Sequence, residues 1–283
     1  MTMKKLFKLC VVMLLVVGCQ SKNFSNEENW YMVSKTFNDL DDYSVFLDET
    51  EFPKEVLEEI KNMEEIEKIE PVFKFPTLLI ESHDFETLHG YLKVYKNGEF
   101  EEEFTYDETD TTKKKIHLLN IFGYPQTMDI ESRSKIVSSD KIENGCYLSS
   151  NVASHLGITD LKDRYTLEIY CLIPASASID IDLLKEHPQL VLNFTEGKHL
   201  YYPYILTIDV AGILNRDISS SRGQVYIPLD LMHSLIDGYK VEEVDSNNYI
   251  VKVKNDQVVQ KIKDLDEHLQ VLPYPLTQDK NTY

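Results

Sequence analysis

Two rhythms of apolar residues run along the chain, and they divide it into unlike stretches. After Lys4, Lys5 and Lys8, an unbroken apolar run fills 9–17 and stops at Gly18-Cys19. It is far shorter than the roughly twenty residues that cross a bilayer as a helix. Gln20 to Glu28 is polar and reads as a tether, with Trp30-Tyr31-Met32-Val33 starting ordered structure. Tyr43 to Leu47 alternates loosely and predicts a strand. Phe52-Pro53 then opens a helix, because proline suits a first turn and Val56, Leu57, Ile60 and Met63 share one helical face. Ile66 to Ile80 is apolar, but Pro71 and Pro76 restrict it to an interrupted or edge strand.

From Tyr91 the period is two. Tyr91 to Tyr95 alternates, Asn97-Gly98 is a hairpin turn, and Phe100 to Tyr106 returns. Ser149-Ser150-Asn151 offers a helix cap, Val152, Ala153 and Leu156 an apolar side, and Gly157 a stop. Tyr165 to Ile173, Leu190 to Leu192, Tyr204 to Val210 and Gln224 to Ile227 read as strands, the last running through Pro228 into a short helix at Leu231 to Ile236. At the C-terminus Tyr249 to Val253 is a strand. Asn255 caps a helix whose apolar face is Val258, Val259, Ile262, Leu265 and Leu269, and Gln270 to Leu272 is a last strand. The pattern is β-α-β near 43–80, β-α-β near 248–273, and mostly β between. Two such units combine into one antiparallel sheet with two helices on one face. The expected class is α+β: a split ferredoxin-like (βαβ…βαβ) domain at 41–85 and 240–276, interrupted by a β-rich insertion at 86–239.

The N-terminal pattern changes the picture of where this body sits. A basic flank, a short apolar core and small residues before a cysteine read as an export signal over 1–18. Val16-Val17-Gly18-Cys19 resembles a bacterial lipobox, which implies that Cys19 is lipidated, with acyl chains such as palmitate, and becomes the new N-terminus. Residues 19–40 would then be a lipidated tether, and the body would be exported and held at the cell membrane, facing away from the cytoplasm. Cleavage removes 18 of 283 residues and leaves 265, enough for one large domain or two modest ones. Losing three lysines lowers the formal charge from −19 to −22. So acidic a body argues against nucleic acid as a partner and equally against electrostatic docking on anionic lipid, and it leaves open cationic partners, metal ions or basic peptides. Only Cys146 and Cys171 remain as thiols beyond Cys19. An oxidising compartment permits one disulfide between them, if their Cα atoms come within about 7 Å, or leaves two separate buried thiols.

Several phrases, in their order, resemble the extracytoplasmic (MacB-like periplasmic core) domain of MacB/FtsX-type ABC transporter permeases. They are the 53–65 helix with Ile66-Glu67-Lys68-Ile69-Glu70-Pro71-Val72, then Asn144-Gly145-Cys146-Tyr147-Leu148-Ser149 with Ala153-Ser154-His155-Leu156-Gly157. Val210-Ala211-Gly212-Ile213-Leu214, Gln224-Val225-Tyr226-Ile227-Pro228-Leu229 and the closing 248–273 unit follow. In that family a ferredoxin-like part is split by a β-rich part, and the resemblance spans 43–275. It contains no catalytic motif. The chain departs from the permeases in having no set of transmembrane segments and no G-x-x-x-x-G-K-[ST] motif. The resemblance therefore implies a lipid-tethered relative that works beside such a permease, or beside another envelope protein, as an accessory or scaffold. The alternative is a ligand-binding or adhesive surface lipoprotein.

Candidate chemistry is sparse. The eight histidines are scattered, and His83-Asp84 with His89 is the nearest approach to a ligand group. The acidic run from Glu99 through Glu101, Glu102, Glu103, Asp107 and Glu108 to Asp110 lacks the order of a calcium loop and reads as a solvated hairpin. Asp180 and Asp182 would share one strand face as a carboxylate pair. No hydrolase elbow marks a serine and nothing activates either cysteine. The expectation is no catalytic residue, no cofactor, no metal and no enzymatic activity.

Overall fold

The computed structural model describes residues 29–35, 52–77, 79–80, 88–89, 91–105, 110–116, 119–177, 180–192, 200–215 and 223–275. The strand expected at 43–47, the signal over 1–18, Cys19 and the His83-Asp84 pair lie outside them.

One sheet has four strands. β1 (Asn29–Lys35) leads to helix α1 (Lys54–Lys61) and β2 (Ile66–Pro71). Much later β16 (Asn248–Val253) leads to helix α5 (Gln257–Lys263) and β17 (Leu269–Pro273). The strand order is β17-β1-β16-β2, and every neighbouring pair is antiparallel. β1 therefore runs parallel to β2 across β16, and β16 parallel to β17 across β1. These are two interleaved β-α-β units, the split ferredoxin-like arrangement. The fold is α+β.

The first described strand, Asn29–Lys35, forms around Trp30–Val33, where ordered structure was expected to start. Asn29–Lys35 falls inside the stretch read as tether, yet it is a central strand, paired on both sides. Its two faces point to two different cores. Tyr31 and Val33 join the helix-side cluster with Val56, Leu57, Ile60, Val251, Val258 and Ile262. Trp30 and Met32 join the other cluster. A strand buried on both faces reads as a short apolar run without polar alternation, so its period was hidden. The Tyr31 hydroxyl donates to Asp256 Oδ1 at 2.7 Å, tying the strand to the start of α5.

Between β2 and β16 the chain builds an eleven-stranded mixed sheet. Its strands include β3 (Lys74–Pro76), β6 (Tyr91–Lys96), β7 (Glu99–Thr105), β8 (Lys114–Lys115), β9 (Leu119–Tyr124), β10 (Ser134–Val137) and β11 (Cys146–Leu148). β12 (Tyr165–Ser176), β13 (Val191–Leu192), β14 (Leu200–Leu214) and β15 (Gly223–Pro228) complete it. β4 (Leu79–Ile80) and β5 (Leu88–His89) pair separately. The spine is the antiparallel pair β12/β14, in register from Thr166↔Asp209 to Ser176↔Leu200. Asn97 (φ 52) and Gly98 (φ 84) form the β6–β7 turn, the left-handed pair that matches strand twist. Pro71 ends β2, and β3 already belongs to the large sheet by pairing with β9. The β-rich part thus begins at Lys74 rather than at residue 86.

Helix α2 (Ser150–His155) follows β11, α3 (Ile181–Glu186) follows β12, and α4 (Leu229–Tyr239) follows β15 and packs on β9, β12 and β15. α5 begins where Asn255 Oδ1 accepts from the Gln257 N–H. Leu269, expected on its apolar face, opens β17 instead, because the helix ends at Lys263.

The two sheets share a core. Trp30, Met32 and Ile250 on the open face of the small sheet pack into one continuous cluster with Phe75, Ile121, Tyr226 and Met232 of the large body. Tyr274 is fully buried at the seam. Its N–H donates to Trp30 O at 2.9 Å, its carbonyl accepts from Arg133 Nη1 at 2.8 Å, and its hydroxyl donates to Gly123 O. Ser246 Oγ donates to Val72 O at 2.8 Å, and His233 Nε2 lies 3.0 Å from Pro71 O. This buried, hydrogen-bonded seam joins the sheets into one body.

Candidate functional site

The residues singled out from sequence do not come together. Cys146 on β11 and Cys171 on β12 flank opposite edges of β14, beside Val210 and Tyr204 respectively. Six residues along a strand amount to about 20 Å, far beyond disulfide reach. The disulfide expected as one option is excluded by this geometry, and both thiols are free and fully buried. Burial pushes the Cys171 thiol up to about 12 and raises Cys146 as well, so neither offers a thiolate.

Asp180 and Asp182 sit at a helix start, not on a strand. Asp180 caps α3 by accepting from the Asp182 N–H at 2.7 Å, while Asp182 pairs with Lys185 at 2.6 Å. The capping geometry aims the first carboxylate at backbone and the second at solvent, so they form no acid–base pair. On the acidic hairpin, Glu102 meets Lys114 at 2.5 Å and Glu103 meets Lys113 at 2.6 Å. Asp110 turns inward on Thr112. Among the described residues there is no group of three or more His, Cys, Asp or Glu that could hold a metal ion. His89 lies on β5, and residues 83 and 84, expected beside it, are outside the described residues.

What the fold does assemble is an open cleft of about 370 Å³ on the large body, lined by the end of β9 and by the 126–131 and 141–147 segments. Its wall is a pair of tyrosines. Tyr124 and Tyr147 meet edge to face, with centroids 5.4 Å apart at 88°, and Tyr124 donates to Gly145 O at 3.2 Å. Tyr147 follows Cys146 on β11, and its ring lies flat on Gly212 of β14. A Cβ at Gly212 would sit 2.5 Å from the ring, so only glycine there leaves room for the tyrosine. Tyr147 is 5% exposed. Burial, then the nearby Glu131 and Asp129 carboxylates, push this phenol up to about 12. Burial raises Tyr124 too, with Tyr147 adding to it.

Met128, Ile130, Ile142 and Pro228 supply apolar lining, and Asp129, Glu131, Glu143 and Lys141 supply charge. Lys141 pairs with Glu143 at 3.7 Å, with both side chains almost wholly in water. Ser132 N–H donates to Asp129 Oδ1 at 3.1 Å and fixes that turn. Two aromatic rings, apolar side chains and several carboxylates meet in this cleft. Sequence reasoning missed it. The signal was Gly212, against which the Tyr147 ring packs, and it became readable only once β11 and β14 were known to be neighbours.

No family model and no curated protein matches the sequence. Among solved structures, the chain is similar to the periplasmic region of MacB from Actinobacillus actinomycetemcomitans, with 11% identity and a TM-score of 0.36 over 87% of this chain and 89% of that one. It is also similar to the extracellular domain of the noncanonic ABC-type transporter YknZ from Gram-positive bacteria. That likeness has 11% identity and a TM-score of 0.32 over 86% of this chain and all of that one. The class of the fold stands on its own strand order and registers.

Proposed function

We propose that this protein is an extracytoplasmic lipoprotein, anchored through Cys19, that works without catalysis as an accessory or scaffolding partner of a MacB/FtsX-type ABC permease. The observation that carries the reading is the β17-β1-β16-β2 sheet split between β2 and β16 by a β-rich body. This is the architecture that the sequence resemblance implies. Support for export comes from the lysine-flanked apolar run ending in Gly18-Cys19. Support for a non-enzymatic role comes from the two thiols, which burial keeps protonated, and from carboxylates spent on capping and surface pairs.

The continuous core supports one mode of action. Its two parts share Trp30, Tyr226 and Tyr274 in one cluster, so the body acts as a rigid spacer that presents its β-rich surface, not as a hinge. Cross-linking in living cells, followed by detergent purification, tests the reading. Recovery of an ABC permease or its ATPase supports it; recovery of the lipoprotein alone overturns it. A second reading, capture of a soluble ligand, is favoured by the Tyr124–Tyr147 cleft. It requires a ligand-dependent rise in melting temperature.

A further inference from the structure

Three observations fix which end of this body lies beside its attachment point. The first is topology. Register places Asn29, Val253 and Ile66 together at one end of the small sheet, and Val33, Tyr249 and Pro71 toward the other. Both connections to the large body, Pro71 to Lys74 and Tyr239 to Asn248, meet the small sheet at that other end. The Asn29 end is closed instead by two links, from α1 to β2 and from β16 to α5. They are tied together: the Lys254 N–H donates to Glu65 O at 2.9 Å, Lys254 Nζ donates to Glu64 O at 2.6 Å, and Lys261 pairs with Glu65. The second is reach. Ten residue steps separate Cys19 from Asn29, so whatever path the chain takes between them, it spans no more than about 36 Å. A compact body of this length has a radius of gyration of about 18 Å and is roughly 45 Å across. The link to Cys19 is thus shorter than the body is wide, and the Asn29 end cannot turn to the side away from Cys19. The third is surface chemistry. Glu64, Lys254, Asn255, Asp256 and Gln257 are exposed at this end. The large apolar side chains exposed among the described residues, Phe100, Val137, Ile181 and Ile205, lie on the large body. An end without an exposed apolar face stands against hydrated headgroups and does not enter the acyl layer.

From these we infer that the end of the small sheet formed by Glu64-Glu65 and Lys254-Asn255-Asp256 is the face this protein turns to the lipid headgroups of the membrane that holds Cys19. The inference rests on the lipid anchor proposed above and goes beyond it by naming the surface that meets the bilayer. Lys254 and Lys261 are engaged with the carbonyl and carboxylate of the neighbouring link, so the short attachment, not charge, sets the orientation. That agrees with a chain of charge −19, which anionic headgroups repel. The opposite end, at Glu243, stands further from the lipid by about 17 Å, the length of five residue steps along β16.

The test uses the lipidated chain, purified from membranes and reconstituted on phosphatidylcholine vesicles. Glu64→Cys and Glu243→Cys, both at exposed positions, place a donor fluorophore at the two ends. Cys146 and Cys171 are fully buried, so a maleimide takes the introduced thiol. Resonance energy transfer to a headgroup-labelled acceptor lipid reads each label's distance of closest approach. It should be shorter at position 64 than at 243 by about 17 Å. Equal distances, or a shorter one at 243, in protein that floats with the vesicles overturn this inference and leave the anchor standing. Inserting about twenty Gly-Ser residues after Gln20 should abolish the difference, because the reach then exceeds the width of the body. A difference that persists overturns the short attachment as its cause. Cys19→Ala should abolish both flotation and transfer. A native chain that fails to float overturns the lipid anchor and this inference with it.

Discussion

Tyr274 is the residue on which the joining of the two sheets can be tested most sharply. It lies one residue beyond β17, fully buried, with its ring 5.7 Å from that of Tyr226 at 80°. Its backbone N–H holds Trp30 O and its hydroxyl holds Gly123 O. Tyr274→Phe removes one hydrogen bond and should cost about 1 kcal/mol. Tyr274→Ala also empties an aromatic-sized volume, which costs about 3–5 kcal/mol. The total, about 4–6 kcal/mol, is a large share of the roughly 5–15 kcal/mol that stabilises an ordinary fold. The assay follows from the sequence. The chain has one tryptophan, and Trp30 is 2% exposed at this same seam. Its fluorescence reports the seam during urea unfolding, while far-UV circular dichroism reports both sheets. The two signals should fall together in the native protein, with one midpoint, and shift together to lower urea in both variants, far more for Ala than for Phe. If the Trp30 signal of Tyr274→Ala is lost in a separate early transition while the dichroism midpoint stays put, the sheets are independent units and the continuous core is wrong.

Other outcomes follow from the same geometry. Cys19→Ala should release the body from membranes into the soluble fraction after a carbonate wash; retention would refute the lipobox. Ile262→Asp places an unpaired charge at a fully buried position under the small sheet and should destabilise by about 3–5 kcal/mol. Leu265→Asp, at a partly buried position, should cost clearly less, and equal melting curves for the two would contradict the helix-side packing. Gly212→Ala should displace the Tyr147 ring and lower the melting temperature; an unaltered melting curve would show that the ring is free to move. Asp209 gives a pH test. Burial raises its carboxyl, but hydrogen bonds from Arg164 and Thr166 outweigh this and leave it below the ordinary 3.8. A depressed folded-state pKa contributes stability above 3.8 that is lost as pH falls through the depressed value. Thr166→Val removes the 2.5 Å bond to Asp209 and should cost about 1.5 kcal/mol at pH 7. That difference should shrink toward zero in acid, and a difference unchanged at low pH would refute the assignment.

Local signals in the sequence were strong wherever one rule acted alone. Asn97-Gly98 forced the β6–β7 hairpin through two left-handed residues. Ser149 stands at the N-cap of α2, and Gly157, at φ 74, follows that helix. Pro71 closes β2, and the Val56, Leu57, Ile60 and Met63 stripe faces the core. The signals failed where a residue served two surfaces or where two chemistries competed. Asn29–Lys35 hid its strand because both faces are buried. Asp180 and Asp182 looked like strand carboxylates, but a cap hydrogen bond to the Asp182 N–H costs little and starts a helix.

The sequence by itself determined the closing β-α-β unit, the helix and second strand of the opening one, the β-rich stretch between them and the acidic composition, because period, turn residues and charge are properties of neighbours in the chain. Only the tertiary structure decided that β17-β1-β16-β2 is one sheet, that Cys146 and Cys171 stand on opposite edges of β14, and that Gly212 sits beneath Tyr147. These facts depend on which strands become neighbours across long separations. Burial of the shared core and the pairing of backbone groups select that arrangement over the whole chain at once, and no local window contains it.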